Sequence, residues 1–421
     1  MKKFLFLPVS LACLVLLMQL VSCGGKEKES KPASEIPQTV REGVTTWERV
    51  YEKDGSRTFG MAVEVLPDSR YLVAGSQMPL EGKEAVYLLL IDSLGDVVWE
   101  KTYGKDIAIW ATDVVPAWDG GYLLCCQTNP DENNQRKVYL MKVDSLGGYQ
   151  WDRVLKSGGD DLGAAIAVTT DSNYVIVGNT SSISDGATGA ILIKVDQSGS
   201  IIWKKAYFDI GARGAAAVLA ESDGGYVMTA SVIATEPSAN DDVMIFKTDP
   251  EGNVLWYKTF GGEKSESAFS LIPTADGGYA LAGTVKSMGP TGDDFYIAKV
   301  DADGDLKWDK AYGGGMTDMV FSLAPAANNG LVAAGLSRSF GDGILKVYMG
   351  KVDKEGDLLW EKVFHMGDNQ HGRSIALCPD GGYVIAAGAR KSRSSVWMAY
   401  VLKTDENGNI KVPDIVTDTL Q

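Results

Sequence analysis

The chain has 421 residues, 45% of them hydrophobic and 23% charged, with a formal net charge of -15. That acidic balance excludes a nucleic-acid-binding surface, which requires a basic face toward the phosphates. The five cysteines have neither metal-ligand nor framework spacing, which argues for buried thiols and against a zinc site or a disulfide scaffold.

The first residues, MKKFLFLPVSLACLVLLMQLVSC, join a two-lysine start to an apolar run of signal-peptide length. Leu20-Val21-Ser22-Cys23 resembles the lipobox of bacterial lipoproteins. The resemblance implies a signal peptide over residues 1–22, cleavage before Cys23, and acyl chains on its thiol and new amine. Several acyl chains give stable attachment where one binds only marginally. Residues 23–44 are polar, short of aromatics and broken by Pro and Gly, the composition of a flexible tether. Gly24 follows the cysteine where an aspartate would favour retention, and Lys26-Glu27-Lys28-Glu29 resembles the surface-export signals of Bacteroidetes lipoproteins. The expected location is therefore the outer membrane or the cell surface, with lipid on Cys23 as the membrane contact.

From Trp47 onward the chain repeats itself. Trp47, Trp99, Trp151, Trp203, Trp256, Trp308 and Trp360 recur every 52 residues, with one interval of 53. Seven residues before each of the last six stands the Asp of a D-x-x-G turn, from Asp92 to Asp353, and Asp405 opens a seventh. A second turn, DGGY or a looser version, recurs in every unit. Between the turns lie four short runs rich in Val, Ile, Tyr, Phe and Trp, the signature of strands. Four strands per unit at a fixed period predict an all-β, seven-bladed propeller of antiparallel four-stranded blades over residues 45–412, with a tail at 413–421. The strand around Trp47 has no blade of its own at the N-terminus, so it is expected to complete the last blade and close the ring.

The recurring residues read as scaffold. Trp, a basic residue and an aromatic alternate along the fourth strand, which puts them on one face where the cation can lie against the rings. A small residue recurs in the second strand (Gly75, Cys126, Gly178, Ala230, Gly283, Gly335, Ala387) and is expected to make room for a neighbouring ring. DADGD at 301–305 looks like the start of a calcium loop. Its alternate carboxylates do not recur in the other six turns, so it reads as a hairpin turn and no metal is expected there.

Laid out in this way, WDKAYGG…TDMVFSLAPAANNGLVAAG and DDFYIAKVDADGDLKW resemble the bacterial β-propeller repeat known as SBBP, and the repeats of secreted Bacteroidetes lipoproteins of that class. The resemblance implies the fold and says little of activity. VDSLGDVVWEKTY is also similar to PQQ-type repeats, but those usually number eight and carry an Ala-Asp-Thr-Gly pattern missing here, so no cofactor is expected.

With strands lettered A to D, the D–A and B–C connections share one rim, and the sequence varies most there. Binding surfaces tend to lie in variable loops on rigid supports. The starts of the A strands align Phe59, Trp110, Leu162, Gly214, Ser267, Met319 and His371 around that rim, and one step earlier Thr58, Ile109, Asp161, Arg213, Glu266, Asp318 and Gln370. Phe59, Trp110, Asp161, Arg213, Glu266, Asp318 and His371 are the candidate ligand-binding residues, suited to stacking and hydrogen bonding a glycan or a peptide. No nucleophile–base or metalloprotease motif is present, and the only histidines are His365 and His371. The expected function is a monomeric, non-enzymatic binding module anchored at the envelope. Its alternatives are a periplasmic scaffold resembling the propeller lipoprotein of outer-membrane β-barrel assembly, and a carbohydrate-active enzyme using a pair such as Asp161 and Glu266.

Overall fold

The computed structural model describes residues 44–53, 55–104, 106–129, 135–155, 159–181, 188–233, 240–289, 292–340, 342–390 and 396–411. The expected signal peptide, Cys23, the expected tether up to residue 43, residue 412 and the expected tail at 413–421 lie outside the described residues. The strands form seven sheets, each of four antiparallel strands. Blade 1 runs from strand A (Ser56–Val65) through Tyr71–Pro79 and Ala85–Ile91 to strand D (Val97–Tyr103). The A strands of adjacent blades touch one another around the axis, so A is innermost. Blade 7 takes Gln370–Leu377, Tyr383–Arg390 and Trp397–Thr404 as strands A to C, and its strand D is Trp47–Tyr51, paired from Trp47↔Lys403 to Tyr51↔Ala399. The N-terminal strand closes the ring.

Burial follows from this order. B and C strands have neighbours on both edges and both faces, and read as nearly continuous apolar runs such as AVYLLLI. D strands have one free edge and alternate between half-buried and exposed residues. The buried side chains fall into seven apolar clusters, one between each pair of adjacent blades. Cys126 lies in the cluster between blades 1 and 2 and Cys125 in that between blades 2 and 3, on opposite faces of their strand. Burial pushes the Cys125 thiol up to about 12 and the Cys378 thiol up to about 11, so both stay protonated and inert.

The D-x-x-G turns grip the preceding blade. Each turn glycine has φ between +72° and +81°, and a Cβ placed on it would stand 2.6–3.1 Å from the Trp ring of the preceding blade's D strand. Only glycine fits, for conformation and for space. Four residues after the Trp, the Tyr51, Tyr103, Tyr207 and Tyr312 hydroxyls donate to the carbonyls of Gly95, Gly147, Gly252 and Gly356 at 2.5–3.0 Å. The basic residue between them does not lie flat on the rings as expected. It reaches the residue after the glycine: Lys258 to Asp305 and Lys310 to Asp357 at 2.6 Å, Lys205 to Asn253 at 2.5 Å, Lys362 to Asn409 at 2.7 Å, and Arg49 to Asp96. Where that residue is Ser200, Arg153 turns back over Trp151 at 5.4 Å. In DADGD, then, Asp305 receives Lys258, while Asp301 accepts the N–H groups of Asp303 and Asp305 at 3.1 and 2.9 Å.

The small second-strand residue also has another cause than the expected one. Every A strand skips one residue of register in its middle, as between Gly60 and Ala62. A bulge of this kind throws the adjacent carbonyl over strand B. A Cβ on Gly75, Gly178, Gly283 or Gly335 would lie only 1.7–1.9 Å from the carbonyl oxygens of Phe59, Leu162, Ser267 and Met319. In these four blades backbone leaves no room for a Cβ, while Cys126, Ala230 and Ala387 stand at the position in the other three.

Candidate functional site

The rim formed by the D–A and B–C connections carries the aligned A-strand starts, and the structure divides them into two groups. Asp161, Glu266 and Asp318, expected as solvated ligand contacts, are buried. Glu266 accepts the N–H groups of Gly262 at 2.9 Å and Ser287 at 3.1 Å, one from its D–A connection and one from its B–C connection. Asp318 repeats the pattern with Gly314 N–H at 2.8 Å and the Ser339 hydroxyl at 2.6 Å. Thr58, on strand A of blade 1, instead bonds the outer strands of blade 7, accepting Ala399 N–H at 2.9 Å and donating to the Tyr51 carbonyl at 3.1 Å. Glu266 and Asp318 thus tie loops together at the blade tops. Arg213 is exposed, and half-buried Trp110 pairs across its strand with Gln127, which donates to the Gly163 carbonyl at 2.7 Å.

Phe59 and His371 come together through a residue the sequence alignment passed over. Trp397 opens strand C of blade 7, with its ring 5.2 Å from Phe59 and 4.9 Å from His371. Its signal was available: of ten tryptophans, only Trp110, Trp118 and Trp397 stand outside the 52-residue register. Beside this trio three buried polar atoms have no hydrogen-bond partner: Gln370 Oε1, His371 Nε2 and Arg390 Nε. Burial, then Arg373 and Arg390, holds the His371 pKa down at about 3, so the imidazole is neutral. The aromatic rings, the Arg373 and Arg390 guanidinium groups and these three atoms thus lie near one another on blades 7 and 1.

Deeper in the channel the residues skipped by the bulges line the axis. On blades 5 to 7 these are Phe269 and Phe321, 5.5 Å apart, and Arg373, whose guanidinium lies 4.5 Å over Phe321. On blades 2 to 4 they are Thr112, Ala164 and Ala216. The skipped residues are therefore aromatic or cationic on blades 5 to 7 and small at mid-strand on blades 2 to 4, while blade 1 skips Met61 and blade 4 also skips Arg213. Two carboxyls stand below. Burial and then Asp113 push Glu64 up to about 8, and burial pushes Asp113 up to about 6. Asp113 spends both oxygens on backbone, accepting Val114 N–H at 2.9 Å and Ile166 N–H at 3.0 Å. It acts as a bracket between blades 2 and 3, which leaves Glu64 without a free carboxylate partner for two-carboxyl chemistry.

No family model matches the chain. Among curated proteins it is 26% identical over 184 residues to Regulatory protein FlaEY of Caulobacter vibrioides, covering 41% of this chain. The chain spans only 19% of the length of that relative. Among solved structures it is similar to a catalytically inactive variant of virginiamycin B lyase from Staphylococcus aureus, solved with quinupristin. The TM-score is 0.54, with 11% identity over 85% of this chain and 99% of that one. It is also similar to the Pan2 WD40 domain of Neurospora crassa, with a TM-score of 0.52 and 8% identity over 85% of this chain and 90% of that one. A puromycin hydrolase gives 0.53 at 15% identity over 84% of this chain and 54% of that one. Lyase, hydrolase and WD40 domain share the architecture, so the likeness establishes the propeller and leaves the chemistry to the site.

Proposed function

We propose that this chain is an envelope-anchored lipoprotein of SBBP type whose propeller binds a glycan bearing an acidic group, without catalysis, at the mouth above blades 7 and 1. The observation that carries this reading is the convergence of Gln370 Oε1, His371 Nε2 and Arg390 Nε, all buried and unpartnered, beside the Phe59–Trp397–His371 trio. A sugar ring presents C–H faces to aromatic rings and hydroxyls to such atoms, and a guanidinium takes a carboxylate in bidentate fashion. The test is a glycan array with wild type and a Trp397→Ala, Arg390→Ala double variant. Binding of acidic glycans by wild type and its loss in the variant are expected; equal binding by both removes this mouth from the account.

A second reading, a periplasmic assembly scaffold, is favoured by exposed apolar side chains at the start of the D strands, among them Val97, Val98, Ile202, Leu255 and Leu359. Protease added to intact cells separates the two locations, since a periplasmic scaffold requires protection.

A further inference from the structure

Between blades 5 and 6, away from the aromatic trio, two carboxylates stand together at the rim: Asp318 accepts the Gly314 N–H and the Ser337 and Ser339 hydroxyls, while Asp294 accepts none. Asp294 opens strand C of blade 5 (Asp294–Val300) and Asp318 opens strand A of blade 6 (Asp318–Pro325). Asp294 is 1% exposed and Asp318 is 0% exposed. Neither oxygen of Asp294 meets a hydrogen-bond donor. The two side chains face one small volume. A Cβ placed on Gly313, whose φ is +131°, would stand 3.0 Å from Asp294 Oδ1 and 2.6 Å from Asp318 Oδ2. Lys286 lies 3.2 Å from the neighbouring Asp293, but among the described residues no basic side chain pairs with Asp294 or Asp318.

We propose that Asp294 and Asp318 bind a calcium ion that bridges blades 5 and 6. Burying unpaired carboxylates is strongly unfavourable, and a carboxylate with both oxygens unsatisfied lacks even hydrogen bonds to offset it. Calcium accepts an irregular shell completed by backbone carbonyls and waters, whereas magnesium demands a near-regular octahedron.

The repeat provides two internal comparisons. One unit earlier the same positions hold Asp242 and Glu266. Asp242 Oδ1 is likewise buried without a partner. One unit later they hold Lys346 and Gln370, an ammonium and a neutral amide where the carboxylate pair stood. Lys346 is 9% exposed and its ammonium lies 3.2 Å from Asp342. At this register the ring thus has a lysine in one blade and, in two others, an aspartate with an unpartnered oxygen.

The test is calorimetric titration of CaCl2 into the purified, chelator-treated full chain at neutral pH, with thermal unfolding in parallel. A Kd of about 10⁻⁴–10⁻³ M is expected, the range of extracellular calcium modules. At a hundredfold excess over Kd, Tm should rise by roughly 3–6 °C. Asp294→Asn should weaken binding at this site at least tenfold, and Asp294→Lys, copying the next blade, should fold and lose this site's response. Asp242→Asn in the same background assigns any second site. The proposal fails if wild type ignores millimolar calcium, if Asp294→Asn and Asp294→Lys keep the wild-type calcium response, or if magnesium acts equally well.

Discussion

Ring closure makes the most demanding prediction, because one short strand joins chain segments some 350 residues apart in sequence, as from Tyr400 to Glu48 at 2.5 Å. The perturbation is Trp47→Ala with Tyr51→Ala. Trp47 is 9% and Tyr51 8% exposed, within the cluster of Tyr71, Val73, Tyr87, Leu89 and Val401 between blades 7 and 1. Trp47 Nε1 donates to the Ser93 carbonyl at 2.9 Å and the Tyr51 hydroxyl to that of Gly95 at 2.8 Å. Each aromatic-to-Ala change in such a site costs about 3–5 kcal/mol. The two rings share the Gly95 turn, so their effects are not additive, and the pair should cost about 5–8 kcal/mol. That is comparable with the whole stability of an ordinary domain, about 5–15 kcal/mol.

The assay is urea unfolding followed by far-UV circular dichroism, with hydrogen exchange to locate the damage. Amides of Trp397–Thr404, which lose their outer partner strand, should lose protection first. Trp203→Ala, at the same register of blade 3 against Gly252, is the internal standard and should cost a similar amount. Arg49→Ala, which removes only the half-exposed pair with Asp96, should cost about 1 kcal/mol or less. If Trp47→Ala proves nearly silent while Trp203→Ala costs several kcal/mol, the N-terminal strand does not close the ring.

Three further outcomes are expected. Gly95→Ala should destabilise by more than the ~1–2 kcal/mol of left-handed strain alone, because its methyl meets the Trp47 ring; Gly381→Ala, also at positive φ but with nothing within 4 Å, should cost only that strain, as thermal unfolding of the two will show. Glu64 has its pKa raised in the fold to about 8, so the folded state holds a proton that the unfolded state releases. Its contribution is fully present below the unfolded pKa of 4.5 and is lost as pH rises through about 8; Glu64→Gln should flatten that decline, read as Tm against pH. Asp318→Ala should loosen both connections it ties and raise proteolysis at the blade 6 rim, whereas Arg213→Ala, exposed, should leave the proteolytic pattern unchanged.

The fold was legible because a propeller writes the same physics seven times. A turn glycine trapped between positive φ and an indole leaves the same trace every 52 residues, and the orphaned Trp47 strand announces where the ring must close. What period-two reasoning could not see was the bulge in every A strand. One skipped residue reverses which side chains face the axis, so Phe269, Phe321 and Arg373 line the channel while the alignment pointed two positions earlier. The same blindness explains the carboxylates. Charge in a variable loop suggests a solvated contact, yet Glu266 and Asp318 are buried because the D–A and B–C connections present N–H groups and hydroxyls that no strand satisfies, and a carboxylate at the head of strand A satisfies several at once. The mouth residues that remain unsatisfied, Gln370, His371 and Arg390, are legible only from the reverse count: atoms left over after the scaffold has met its own demands. Blade 7 departs from the repeated pattern with a histidine in ring contact with a tryptophan that no other blade carries at that position.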